Sequence, residues 1–294
     1  PHDPIVLAVD QEGGRVQRVR APATEWPPMR VVGRAGELAG PVGRAIGREL
    51  RALGFNLNFA PCADVDTNPA NPVIGDRSFG DDPAAVARDV AAFVTAHQAE
   101  HVVACAKHFP GHGDTAVDTH LGLPVVERPE PELRRTELPP FAAAVRAGVG
   151  AVMVGHVVYP TWDEDWPASL SPRIVPRWLR KELRFDGVAF TDDLEMKAVC
   201  GRYAVEQQVQ QVTRAQIDVL LVSDTATLQH DVFRALVLAQ EDDPGHERLA
   251  IDAVRRVDAL RETFFLGVPP PPPLGVVGSV EHRAIAERAR ARGG

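Results

Sequence analysis

The sequence predicts an α/β fold, a (β/α)-barrel of the TIM-barrel type with a short C-terminal extension. Three observations lead there. Six apolar runs of strand length alternate with helical patterns along most of the 294 residues. The runs are continuously apolar, which suits strands covered on both faces of a parallel sheet. Reactive side chains stand just past the ends of four of them: Asp10, Lys107-His108, His156 and Asp192-Asp193. Polar residues gathered at the C-terminal ends of several parallel strands are the pattern of a barrel mouth. A closed barrel of this type needs eight strands. Six are read here, so the barrel is irregular or has elements ahead of Pro1.

The strands are expected at 5–9, 56–60, 102–107, 151–155, 188–191 and 219–222. Helical patterns fall at 36–53, 83–100, 131–147, 172–183, 203–216 and 228–240. Pro83, Pro131 and Pro172 sit near helix starts, where a missing N–H is tolerated. Gly54 and Gly148 follow helix ends, where a left-handed cap is common. A long helix at 246–266 closes this unit, expected to span 1–267. The remainder, 268–294, opens on the proline run 269–273, a semi-rigid extended linker. The helix at 279–292 beyond it is short for an isolated helix in water, so it packs on the barrel or frays. No internal repeat is visible.

Composition narrows the function. Hydrophobic residues make up 45% of the chain, enough for a full core. The net charge of −8 and the absence of a polybasic run speak against a nucleic-acid surface. No stretch has the roughly 18 apolar residues of a membrane helix. Cys62, Cys105 and Cys200 are far apart and odd in number. They read as buried thiols rather than a disulfide framework or zinc knuckle. A monomer is expected. Cytoplasm and cell envelope both fit, and the abrupt opening Pro1-His2-Asp3 is what a processed or truncated N-terminus would show.

The densest chemistry lies in Lys107-His108-Phe109-Pro110-Gly111-His112-Gly113-Asp114-Thr115-Ala116-Val117-Asp118-Thr119-His120. Pro110, Gly111 and Gly113 break regular structure, so a buried strand releases a long polar loop. Asp118 and His120, two apart, allow a carboxylate to orient an imidazole that gives up a proton and later takes one back. The plainer reading is a loop tied together by its polar groups. His108, His112 and His120 raise the question of a metal. Ligand pairs at such spacing usually stand on a helix, and this stretch is a loop, so no metal is assigned. The Walker pattern is absent, which discounts an NTPase. Asp192 and Asp193 close an apolar strand, and alternation lets at most one of them face the mouth. Asp192 reads as a nucleophile or general base, against a plainer helix N-cap. Asp10, before Gly13 and Gly14, can accept hydrogen bonds from a polyol or simply hold a turn. Arg77, in the loop 71–80, can bond a polar substrate or staple that loop. Trp162 and Trp166, in the loop 159–167, can stack on a sugar or cap the barrel.

Taken together, the segments 10–15, 56–61, 71–80, 107–120 and 190–196 resemble, in order and spacing, the β-N-acetylglucosaminidases of glycoside hydrolase family 3. The resemblance runs from about Ile5 to about Leu266. The loop 107–120 is its most specific part, because most β-glucosidases of that family share the Lys-His pair but lack the Gly-His-Gly…Asp-x-His loop. The resemblance implies a retaining exo-β-N-acetylglucosaminidase acting on terminal β-linked N-acetylglucosamine, often from cell-wall muropeptides, with no cofactor. It implies that Asp192 is the nucleophile and Asp193 its non-nucleophilic neighbour, and that His120 is the acid/base, paired with Asp118. Asp10, Arg18, Arg77, Lys107 and His108 would hold the hydroxyls of the terminal sugar. A histidine in place of the usual second carboxylic acid departs from the two-carboxylate rule.

Two alternatives stay open on sequence. A histidine acid/base carries no fixed negative charge to repel phosphate, so phosphorolysis can replace hydrolysis. A non-catalytic sugar-binding barrel is the other, since fold alone does not guarantee activity. By the resemblance, relatives carry an N-terminal strand and helix that are expected to be missing from this chain. The segment 279–292 resembles the opening of a second domain that is trimmed or vestigial.

Overall fold

The computed structural model of the chain describes residues 5–115 and 123–294. Asp118 and His120 lie outside the described residues.

Strand β1 (Ala8–Val9) runs into a small hairpin, β2 (Gln11–Gly13) and β3 (Val16–Gln17). Helices α1 (Met29–Arg34) and α2 (Ala39–Ala52) lead to β4 (Leu57–Asn58). Helix α3 (Pro83–Gln98) precedes β5 (Val103–Phe109). Then come α4 (Glu130–Thr136), α5 (Leu138–Arg146), β6 (Ala151–Val154) and a π-type helix (Val175–Glu182). The series ends with β7 (Val188–Asp193), α6 (Val205–Arg214), β8 (Val219–Leu221), α7 (Ala226–Asp242), α8 (Pro244–Phe265) and α9 (Val280–Gly293).

Strands β1, β4, β5, β6, β7 and β8 form one sheet in that order, every neighbour parallel. Among the described residues no pairing joins β8 to β1, so the sheet is an open part of a barrel. All six expected strands are present, though the first is only two residues long. Leu7, expected within it, is 50% exposed, and its carbonyl accepts from Asn56 N at 3.0 Å and Leu57 N at 3.2 Å just ahead of the strand. Alternation sends Leu57, Val103, Cys105, Ala151, Met153, Val188 and Phe190 to one face, where Leu260 of α8 joins them. Ala104, Ala106, Val152, Val154 and Ala189 pack on the other face, against the helical layer.

One helical expectation is corrected. The stretch 131–147 is two helices, broken at Glu137. Pro139 and Pro140 lack the N–H needed to continue α4, and they sit in the first turn of a new helix. The short α1 and the hairpin were not anticipated. The tail does not fray: α9 packs on α1 and α2, burying His282, Ala286, Ala289 and Gly293. Glu49 of α2 fastens it, accepting from Gly278 N at 2.9 Å and pairing with His282 Nδ1 at 2.8 Å. Cys62 and Cys105 are buried as expected, but Cys200 is exposed in the turn after β7, outside any apolar strand. No described helix is long and apolar enough to cross a membrane.

Candidate active site

The parallel order brings every strand C-terminus to one edge. Register slips at two places there: between Lys107 and Phe109 against β6, and between Phe190 and Asp193 against β8. Such irregularities re-aim side chains at the end of a strand, and these two carry the residues that matter most.

Lys107 is buried between two carboxylates, its Nζ 2.6 Å from Asp10 Oδ1 and 2.7 Å from Glu12 Oε1. Arg77 takes Glu12 bidentately, Nε to Oε2 at 2.9 Å and Nη2 to Oε1 at 2.8 Å. Burial alone would raise the Glu12 carboxyl. The Arg77 and Lys107 charges override it and hold the group far below the usual carboxylate range. Glu12 is therefore fully committed, whereas the Asp10 side chain stays 35% exposed and has acceptor capacity left for a ligand. Arg77 also donates to Val73 O at 3.2 Å, so it staples its own loop as well as facing the cluster.

His108 lies between Arg77 Nη2, 3.3 Å from its Nε2, and Asp64 Oδ2, 2.8 Å from its Nδ1. Its Nδ1 donates to that carboxylate, tying the ring to the loop after β4. Burial would raise the Asp64 carboxyl, but the His108 charge and hydrogen bond turn the shift downward. Asp64 Oδ1 also accepts from His112 N at 2.7 Å, tying the turn after β5 to the strand ends. Asn71 completes the turn, donating to His112 O at 2.8 Å and Gly113 O at 3.1 Å. Gly113 is required here by close approach: a Cβ would collide with the Val65 carbonyl. Burial, then the neighbouring His108 charge, pushes His112 down to about 4. The neutral His112 ring meets the Thr115 hydroxyl at 2.8 Å. Asp114 takes Arg128, Nε to Oδ2 at 2.8 Å. His112 and Asp114 thus shape the loop.

The adjacent aspartates divide as alternation requires. Asp193 accepts from Glu195 N at 3.0 Å and from the Ser223 hydroxyl, locking the end of β7 to the end of β8. Asp192 accepts the Asp193 N–H at 2.9 Å and is otherwise left partly open at the mouth. Burial would raise its carboxyl. His108, His156, that N–H and Lys107 together hold it below the ordinary value, so it is ionised at neutral pH. His156, fully buried, reaches Asp193 O at 3.0 Å through Nε2 and Ser169 Oγ at 2.6 Å through Nδ1.

Asp10, Arg77, Lys107, His108 and Asp192 are therefore brought together. Arg18 is not: it is exposed, and only its backbone N–H reaches the cluster, donating to Asp10 O at 3.3 Å. Asp118 and His120 fall outside the described residues. Trp162 is buried between Tyr159 and Trp178, with ring centroids at 5.5 and 4.7 Å, and caps the core. Trp166 stays partly exposed, its ring 5.0 Å from Tyr203. Sequence reasoning missed Glu12, Asp64 and His156 as members of the site. Glu12 and His156 sat at strand ends already flagged as polar. Asp64, in an otherwise apolar stretch between Ala60 and Val65, was a signal of the same kind.

Cys62, Asp64 and His108 each offer a ligand atom within 4.8 Å of the others. They instead form a hydrogen-bonded chain, in which the Cys62 thiol donates to Asp64 Oδ2 at 3.1 Å. Burial and the Asp64 charge raise that thiol well above its ordinary value, which disfavours the thiolate a metal would take.

A family model described as the glycosyl hydrolase family 3 N terminal domain matches residues 2–260. The chain is 37% identical over 249 residues to Beta-hexosaminidase A of Pseudoalteromonas piscicida, covering 79% of this chain and 42% of that protein. It is 39% identical over 241 residues to the Beta-hexosaminidase of Thiobacillus denitrificans, covering 79% and 67%. Among solved structures, a glycoside hydrolase family 3 beta-N-acetylglucosaminidase from Paenibacillus sp. superposes with a TM-score of 0.92 at 39% identity, covering 99% of this chain and 56% of that one. NagZ from Neisseria gonorrhoeae, solved with N-trifluoroacetyl-D-glucosamine, gives 0.77 at 31% identity, covering 98% and 82%. The chain thus spans between two fifths and two thirds of the first two relatives.

Proposed function

The chain belongs to glycoside hydrolase family 3, and from that membership we propose that it is a retaining exo-β-N-acetylglucosaminidase that removes terminal β-linked N-acetylglucosamine, in particular from cell-wall fragments. The observation that carries this reading is Asp192: an ionised carboxylate, partly open at the mouth, beside the cluster of Asp10, Lys107, Glu12, Arg77 and His108.

In the first step an Asp192 oxygen attacks the anomeric carbon. The bond from that carbon to the leaving oxygen breaks, and His120, oriented by Asp118, gives its proton to the departing oxygen. In the second step water attacks the glycosyl-aspartate carbon, His120 takes the proton, and the carboxylate of Asp192 is released. Two inversions leave the sugar in its original configuration. Asp10, Lys107 and His108 would hold the sugar hydroxyls, with Glu12 fixing the Lys107 ammonium. Arg77 would reach the sugar from its loop, and Arg18 from the hairpin rim. The relatives named above as beta-hexosaminidases, and the neighbour solved with an N-acylated glucosamine, support the choice of sugar.

Release of 4-nitrophenol from its β-N-acetylglucosaminide tests the reading. Asp192→Ala is expected to lower kcat by roughly 10³-fold or more, and His120→Ala to remove most activity toward poor leaving groups. Full turnover by Asp192→Ala would sink the assignment.

A further inference from the structure

Glu137, at the break between α4 and α5, is a buried ionisable group for which the proposed reaction has no use. It is 1% exposed, and neither carboxyl oxygen has a hydrogen-bond partner among the described residues. A buried, unpartnered carboxylate is strongly disfavoured, and such a group stays protonated instead.

Its surroundings explain what holds it there. Gly111, with a φ of +145°, lies directly against the carboxyl group, and a Cβ at that position would overlap it. The Tyr159 hydroxyl donates to the carbonyl of the same glycine. The ionisable groups facing Glu137 are Asp64 from the loop after β4, Asp114 from the turn after β5, Arg128 from the segment before α4, and Tyr159 from the loop after β6. Arg128 is the one cation of the four, and it is already engaged by Asp114. Burial first, then the Asp64 charge, pushes Glu137 up to about 8, with Arg128 opposing.

We propose that Glu137 is a positioning residue: an uncharged carboxylic acid on which Gly111 is seated, so that the chain leaves the strand end at His108 on the path that leads to Asp118 and His120. Tyr159 holds the same glycine through its carbonyl, and Asp64 holds the next residue through His112 N. The turn is thus fastened at successive residues before the acid/base pair begins. This inference rests on the reading of the reaction given above. Asp10, Lys107 and His108 stand on the strand ends and Arg77 on a separate loop, so a displaced turn should disturb proton transfer more than sugar binding.

The test compares Glu137→Ala, Glu137→Gln and Tyr159→Phe with the wild-type chain. Glu137→Ala should lower kcat about tenfold or more while KM stays within about twofold, and Glu137→Gln, neutral and of the same shape, should restore kcat to within about twofold. Tyr159→Phe should lower kcat in the same direction.

Melting temperatures give a readout independent of turnover. In the folded chain Glu137 keeps a proton that the unfolded chain loses above the ordinary value of 4.5, so wild-type stability falls as pH rises toward about 8. Glu137→Gln has no such slope, and its melting temperature should gain on the wild type by about 3 °C or more across that range. Wild-type kcat in Glu137→Ala, a Gln variant as impaired as the Ala variant, or a constant melting difference would each overturn the proposal. If Glu137→Ala does not fold, Tyr159→Phe and the Gln comparison decide. Inactive Asp192→Ala beside fully active Glu137→Ala would refute the positioning role and leave the proposed reaction standing.

Discussion

Lys107 serves two carboxylates with one ammonium, and that arrangement sets what its loss would do. Lys107→Met leaves Glu12 with Arg77 alone and frees Asp10 from its ion pair. Removing one partner of a buried pair costs about 3–5 kcal/mol, so a urea titration should show a loss of that order. KM for the glycoside should rise as well, because Asp10 is no longer fixed. A variant as stable as the wild type would contradict the commitment of Glu12 described above. At this scale the sequence revealed the groups but not their partners. The pairing of Lys107 with Asp10 spans 97 positions, and that of His108 with Asp64 spans 44, beyond the reach of local spacing. Alternation allowed at most one of Asp192 and Asp193 to face the mouth, and Asp193 is the one tied away, to Ser223 and Glu195.

Among the elements, the turn after β5 is the most constrained. Gly113→Ala would drive a methyl into the Val65 backbone, which cannot yield as a flexible side chain would. Overpacking of this kind costs about 1–3 kcal/mol, and kcat should fall with it because the turn leads to the acid/base pair. An alanine variant matching the wild type in both melting temperature and turnover would show that the turn is not held as described. Continuous apolar runs made the sheet strands readable, most plainly β5 and β6, where burial on both faces leaves no polar alternation to confuse the pattern. The hairpin strands Gln11–Gly13 and Val16–Gln17 are too short for any periodicity to register. The break at Glu137 was hidden for the opposite reason: the apolar pattern continues straight through Pro139 and Pro140.

The pH dependence of the whole molecule follows from groups shifted in opposite senses. Burial pushes His97 and His112 down to about 4 from 6.5, so stability is lost as pH falls from about 6.5 toward 4. Glu137 acts the other way, with stability falling as pH rises from 4.5 to about 8. Burial lowers His156 and His101 as well, so below 6.5 the histidines outweigh one carboxyl, and above it Glu137 dominates among the described residues. The melting temperature should therefore peak near the histidine value of 6.5, and a monotonic profile across this range would contradict the assignment. The barrel class was legible at this scale because reactive residues recur at strand ends. The docking of α9 was not, since Glu49 and His282 meet across 233 positions. The claim on which the account turns is that Asp192 becomes covalently glycosylated. Rapid acid quenching of the intact chain during turnover of an activated β-N-acetylglucosaminide, followed by mass spectrometry and peptide mapping, tests it directly. The expected result is one N-acetylglucosaminyl group carried on Asp192 and absent from Asp192→Ala. Label on any other residue, or full turnover with inversion at the anomeric carbon, would contradict it.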